Sequence, residues 1–151
     1  MVSSLEYDPY WNKPIHQMTT QVNNSDLHFS SVRELRSKFN KREVSSSEVT
    51  KVTLDRIATL EPRLNTFITV TPENAIRDAK LADERLQGTG QETTALTGVP
   101  VMGTDNLSTT AVPTTAASNL IPGYLPPYDG TGVRTLTNAG TASLGHGNLA
   151  T

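Results

Sequence analysis

The side chains able to carry chemistry in this sequence are few. Three histidines, His16, His28 and His146, lie far apart, and none has a ligand-type partner three or four residues away, the spacing at which two side chains share a helix face and a metal ion. They read as surface or cap histidines, and no metal is expected. Serines are plentiful, yet no Gly-x-Ser-x-Gly elbow exists to expose one as a nucleophile. Ser45, Ser46 and Ser47 read as a helix cap. Two aspartates, Asp105 and Asp129, stand in polar loops where a carboxylate can do acid–base work. Asp129 precedes a helical pattern and is most simply its N-cap. Asp105 and Asn106 follow an apolar strand pattern, and ligands of α/β proteins gather outside the carboxyl ends of strands. Substrate contact and a plain Asx turn both fit that place. The run from Gly145 through Gly147 to Ala150 has the form Gly-x-Gly-x-x-Ala after a strand. A dinucleotide site also needs a helix at the pyrophosphate and an acidic residue about 20 positions on. These residues supply neither, so no nucleotide cofactor is expected.

Positioning such groups requires ordered elements. Residues 1–29 show no apolar periodicity and mix Pro9 and Pro14 with Tyr7, Tyr10 and Trp11, which predicts an irregular arm draped over the body by its aromatics. Ser31 with Glu34 has the spacing of a capping box, followed by a helical stripe of Val32, Leu35 and Phe39. Ser45 with Glu48 opens a second box and a longer helix with Val49, Val52, Ile57 and Leu60 inward, stopped by Pro62. The β-branched run 64–70 predicts a strand. Thr71 and Pro72 then start a helix with Ala75, Ala79, Ala82 and Leu86 on one face, ending at Gly88. Residues 88–94 have loop composition and divide the chain. Beyond them come a buried strand at 99–102, a proline-rich loop at 113–129, a short helix through Val133 and Leu136 to Gly140, and a strand at 141–144. This order predicts an α/β fold with a mostly parallel sheet of about three strands, few for a sheet covered on both faces.

Composition narrows the function classes. The 151 residues carry a net charge of -2 with no basic block, which weighs against direct nucleic-acid binding. No run approaches the 18 or so consecutive apolar residues of a membrane span. Without cysteine there is no disulfide, thiolate nucleophile or cysteine-bound metal. The first residues lack the basic start and apolar core of a secretory signal, so a cytoplasmic setting is expected. Only 35% of the residues are hydrophobic and 5% aromatic, which predicts marginal stability.

The residues also resemble a family. Leu60-Glu-Pro-Arg-Leu-Asn-Thr-Phe-Ile-Thr-Val70, Leu96-Thr-Gly-Val-Pro-Val101, Asp105-Asn106, Val112-Pro-Thr-Thr115, Ser118, Pro127-Tyr-Asp129, Ala139-Gly140, Leu144-Gly145 and Asn148-Leu149 occur in the order found in the N-terminal part of amidase signature enzymes. That family includes the A subunit of glutamyl-tRNA(Gln) amidotransferase and bacterial and fungal amidases. The resemblance implies an incomplete amidase signature fold over 30–151, a mixed sheet sandwiched by helices, and no cofactor. It further implies amide chemistry by a serine nucleophile, a second serine joined by a cis peptide, and a lysine base. The lysine belongs in a Pro-apolar-x-x-Lys-Asp-Asn segment, here Pro100-Val-Met-Gly-Thr104-Asp-Asn106, so Thr104 holds its place. Gly103 also departs from the pattern, because glycine suits a strand interior poorly. The second landmark reads Leu-Gly-Lys-Thr-Asn-Leu-Asp-Glu in relatives and Leu144-Gly-His-Gly-Asn-Leu-Ala-Thr151 here. The family's serine-bearing segment lies further along its chain than these residues reach.

Three readings follow. The chain is a truncated or degenerate amidase without activity of its own; or a pseudoenzyme, a binding module that docks a partner protein or self-associates; or one part of a split enzyme. Thr104, His146, Ala150 and Thr151 weigh against the last, since a split enzyme still needs its lysine. Missing neighbours predict unpaired backbone at the strands near Val99 and Thr141.

Overall fold

The computed structural model describes residues 27, 29–89 and 92–149. The arm with Tyr7, Tyr10 and Trp11, and the histidines His16 and His28, lie outside these residues. The elements follow the expected order: α1 (Val32–Asn40), α2 (Ser46–Leu64), β1 (Phe67–Val70), α3 (Pro72–Leu86), β2 (Pro100–Thr104), α4 (Thr131–Asn138) and β3 (Ala142–Gly147). No described helix is long and apolar enough to cross a membrane.

Both capping boxes are formed. Ser31 and Ser45 accept from the amides of Glu34 and Glu48, whose carboxylates reach back to the serine amides at 2.7 and 2.8 Å. The bonds from the Ser45 amide and hydroxyl hold the Glu48 carboxyl below its ordinary value. Ser45→Ala is therefore expected to cost about 1 kcal/mol, read as a lower urea midpoint at unchanged slope. A second contact completes this cap from a distance. Asp83, on α3, accepts from the amides of Ser46 and Ser47 at 2.6 and 3.1 Å and from the Ser47 hydroxyl.

Pro62 does not stop α2. The helix carries it in its last turn and ends two residues later, where Asn65 turns left-handed at φ 49° and its amide bonds the Glu61 carbonyl. The Glu61 side chain then accepts from the Phe67 amide at 2.8 Å, hooking the helix end to β1. Of the stripe expected inward on α2, only Val49 is fully buried, and Val52, Ile57 and Leu60 are half-buried. On α3, Ala75, Ala79 and Ala82 are fully buried, as their spacing predicts, and their small side chains let the helix lie close on β3 and α2. Leu27, Leu35, Phe39, Val44, Val49 and Val99 form the principal apolar cluster. Its members come from α1, α2, the segments preceding each of them and the approach to β2, so the first helix is part of the core.

The sheet is mixed rather than mostly parallel, with order β1-β3-β2. β3 pairs antiparallel with β1 and parallel with β2. The strand near Thr141 is thus the paired centre of the sheet, and the open edges belong to β1 and β2. Gly145 explains itself here. It adopts φ 131°, and a Cβ added to it would lie 2.1 Å from the Thr69 carbonyl oxygen. Close approach of β1 to β3 requires glycine at this position. The first glycine of the nucleotide-like motif thus serves strand packing; Ala150 lies outside the described residues.

Candidate functional site

The carboxyl ends of β2 and β3 lie side by side, Thr104 opposite Gly147 and Gly103 opposite His146. Thr104 is the last residue of β2. Its side chain is exposed and donates to Asn106 Oδ1 at 2.6 Å. The main chain around it is fixed independently of that side chain, by Asp105 N–H to the Gly147 carbonyl and Leu107 N–H to the Thr104 carbonyl, both 3.0 Å. Gly103 is not demanded by contact, since a Cβ there would meet His146 Cδ2 at an ordinary 3.6 Å.

Asp105 turns inward and is fully buried. Its Oδ2 accepts from the Thr115 amide at 3.0 Å, the Thr115 hydroxyl at 2.5 Å and the Ala117 amide at 3.1 Å. Its backbone carbonyl takes the Ala116 amide at 3.0 Å. Ala116 and Ala117 both have positive φ, 51° and 52°, a conformation alanine adopts at a cost of about 1–3 kcal/mol per residue. Successive amides turned inward in this way make a small anion-holding concavity, and Asp105 fills it. Burial pushes the carboxyl up. Bonds from the Thr115 hydroxyl, the Ala117 and Thr115 amides and His146 outweigh burial and hold it below the usual aspartate value. This geometry gives Asp105 the work of positioning the 113–117 loop, while the exposed Asn106 is the member of the pair that reaches solvent.

His146 overturns the expectation of a surface or cap histidine. It is 2% exposed, because the strand that carries it runs through the middle of the sheet. Nδ1 lies 3.3 Å from both Asp105 Oδ1 and the Pro113 carbonyl oxygen, and Nε2 lies 2.8 Å from Thr109 Oγ1. Sequence reasoning missed this cluster because its members are brought together only by strand order. The available signal was that position 146 falls inside the second family landmark. Asp129 also departs from expectation. Gly130 is the N-cap of α4, and the Asp129 carboxylate instead accepts the Thr110 amide at 2.7 Å. Among the described residues no group of three or more His, Asp or Glu could hold a metal ion.

A sequence profile of the Amidase family matches residues 48–151. The chain belongs to the amidase family. It is 44% identical over 124 residues to the A subunit of glutamyl-tRNA(Gln) amidotransferase from Thermoanaerobacter pseudethanolicus, covering 82% of this chain and 25% of that protein. The protein of the same name from Synechococcus elongatus is 42% identical over 120 residues, 80% of this chain and 25% of that protein. Among solved amidase structures, the native peptide amidase of Stenotrophomonas maltophilia superposes with a TM-score of 0.72 at 33% identity, over 80% of this chain and 25% of that one. Fatty acid amide hydrolase superposes with a TM-score of 0.77 over 90% of this chain and 24% of that one, and at 18% identity this speaks for the fold alone. The chain thus spans about a quarter of the length of the curated relatives it matches. The α/β architecture with its small mixed sheet is a part of the amidase family fold.

Proposed function

We propose that these residues correspond to the part of an amide-hydrolysing or amidotransferase core that carries the lysine base in relatives, here in a form that does not itself turn over amides. The observation that carries this reading is Thr104. It occupies the β2 terminus where the family resemblance places the lysine base, and its hydroxyl is bonded to Asn106. A threonine hydroxyl does not accept and return a proton near neutral pH as a desolvated amine does. Purified as such, the chain is expected to release no ammonia from glutamine, asparagine or simple carboxamides by mass spectrometry. Turnover that is lost in Thr104→Ala would overturn the reading. The setting we infer is cytoplasmic.

A second reading, a module that docks a complementary protein chain, is favoured by the unpartnered surface. β1 and β2 each pair only with β3 among the described residues. An apolar groove of about 910 Å³ also runs along α2, β1 and α3, lined by Leu54, Ile57, Ala58, Phe67, Val70 and Ile76. The partner inferred is a protein supplying the remaining strands of the family fold. Mixing the chain with the separately expressed C-terminal three quarters of a relative separates the two readings. Co-elution without activity supports docking, and activity appearing only with the Thr104→Lys variant supports both docking and the lysine assignment. Separate elution leaves the inactive-core reading alone.

A further inference from the structure

Thr109, His146 and Asp105 stand in line. His146 Nδ1 faces two acceptors, Asp105 Oδ1 and the Pro113 carbonyl, each at 3.3 Å, so in the neutral ring Nδ1 carries the proton. Nε2 then presents its lone pair to Thr109 Oγ1 at 2.8 Å. The alternative acceptor for that hydroxyl, the Leu107 carbonyl, is more distant at 3.3 Å. The hydroxyl proton therefore points at a base whose ring is oriented by a buried carboxylate. A nucleophile within hydrogen-bond reach of a base that is itself oriented by a third group is the general arrangement for activating a hydroxyl.

The backbone of Thr109 is clamped on both sides. The Ser108 carbonyl accepts the Gly130 amide at 2.8 Å, and the Thr110 amide donates to Asp129 Oδ1 at 2.7 Å. Val112 N–H returns to the Thr109 carbonyl at 3.1 Å. His146 is fixed in the sheet centre, and Asp105 is held beside it by the bond of its amide to the Gly147 carbonyl and by the amides of its loop concavity, so the base and the carboxylate are positioned together. Thr109 is half-buried, whereas the base and the carboxylate behind it are shielded from water.

We propose that Asp105, His146 and Thr109 form a hydroxyl-activating relay through which Thr109 accepts an acyl group from an activated ester. Thr109 Oγ bonds to the acyl carbon while the ester C–O bond to the aryloxide breaks. The hydroxyl proton passes to His146 Nε2 and from there to the departing aryloxide, which leaves as the phenol. No electrons are exchanged and no further reactant is needed. The step does not involve Thr104 or the family's serines.

The test is acetylation of the 151-residue chain by p-nitrophenyl acetate at neutral pH, followed by peptide mapping. Thr109 is expected to be acetylated about 10²-fold faster than the average of the chain's other threonines, the low end of what a positioned base contributes. His146→Asn is expected to reduce Thr109 to that average, Thr109→Ser to label faster through its less hindered hydroxyl, and Ser108→Ala to change nothing. Labelling confined to lysines, spread evenly over hydroxyls, or unaltered at Thr109 in a folded His146→Asn variant would overturn the proposal. Should His146→Asn not fold, the wild-type chain in concentrated urea decides. Preferential labelling of Thr109 that vanishes on unfolding supports the relay, and preference that persists refutes it.

Discussion

Threonine placed at the position of Thr104 in a full-length amidase signature relative lowers amide turnover by about 10²–10⁴-fold, the range a positioned acid–base group contributes, and leaves the fold intact. The chemistry and the geometry point the same way. The residue ends β2 with its side chain exposed, and its strand pairing and turn bonds come from main-chain atoms alone. Replacing the side chain removes a proton acceptor while the main-chain bonds that hold the strand end stay in place. The check is kcat on a simple carboxamide beside a circular-dichroism spectrum and a urea midpoint. Near-normal turnover would show that the base lies elsewhere. The reverse substitution, Thr104→Lys, leaves the 151-residue chain inactive, because groups that act as a unit give almost nothing when restored singly.

Asp105→Ala is expected to destabilise the chain by about 3–5 kcal/mol, the cost of removing one partner from a buried charged network. Three donors lose their acceptor together: the Thr115 and Ala117 amides and the Thr115 hydroxyl. The left-handed pair Ala116 and Ala117 loses the carboxylate that holds it. Because a small domain's whole stability is about 5–15 kcal/mol, the variant sits at the edge of folding at 25 °C. Asp105→Asn keeps a neutral acceptor and costs less, and pH tells the two effects apart. The folded Asp105 carboxyl lies below its ordinary value, so its stabilisation is fully present above the unfolded value of about 4. It is lost as pH falls from there through the folded value. The gap between wild type and Asp105→Asn, measured by urea unfolding, should therefore be widest at neutral pH and close towards pH 3. A gap that does not change with pH would mean that the ionised carboxylate is not what holds the loop.

Much of the architecture was legible because it is written locally. The boxes at Ser31 and Ser45 and the alanine stripe of α3 depend only on residues three or four apart, and each formed as its spacing predicts. What was not legible depends on neighbours distant in sequence. Asp129 has the composition of a helix cap but is drawn to the Thr110 amide 19 residues earlier. Pro62 reads as a stop, yet a proline in the last turn forfeits one bond while Asn65 provides the actual turn. His146 has no local partner at all. Its burial follows from β3 lying between β1 and β2, and strand order cannot be read from a strand's own residues. The family resemblance put Thr104 at the place of the lysine, whereas the cluster of Asp105, Thr109 and His146 emerged only in three dimensions.

The central position of β3 has a consequence for synthesis. Among the described residues it is the third strand in sequence and the one that joins the other two, so β1 and β2 have no sheet partner among them when they leave the ribosome. Roughly seventy residues separate Val70 from Ala142, which at 5–20 residues per second leaves β1 waiting about 4–15 s. The first three helices can form in that interval, since helix formation takes microseconds or less. The nascent chain thus emerges as a helical body carrying two bare strands. Its window for capture by a chaperone, or by a second nascent copy, closes when residues 142–147 thread between them.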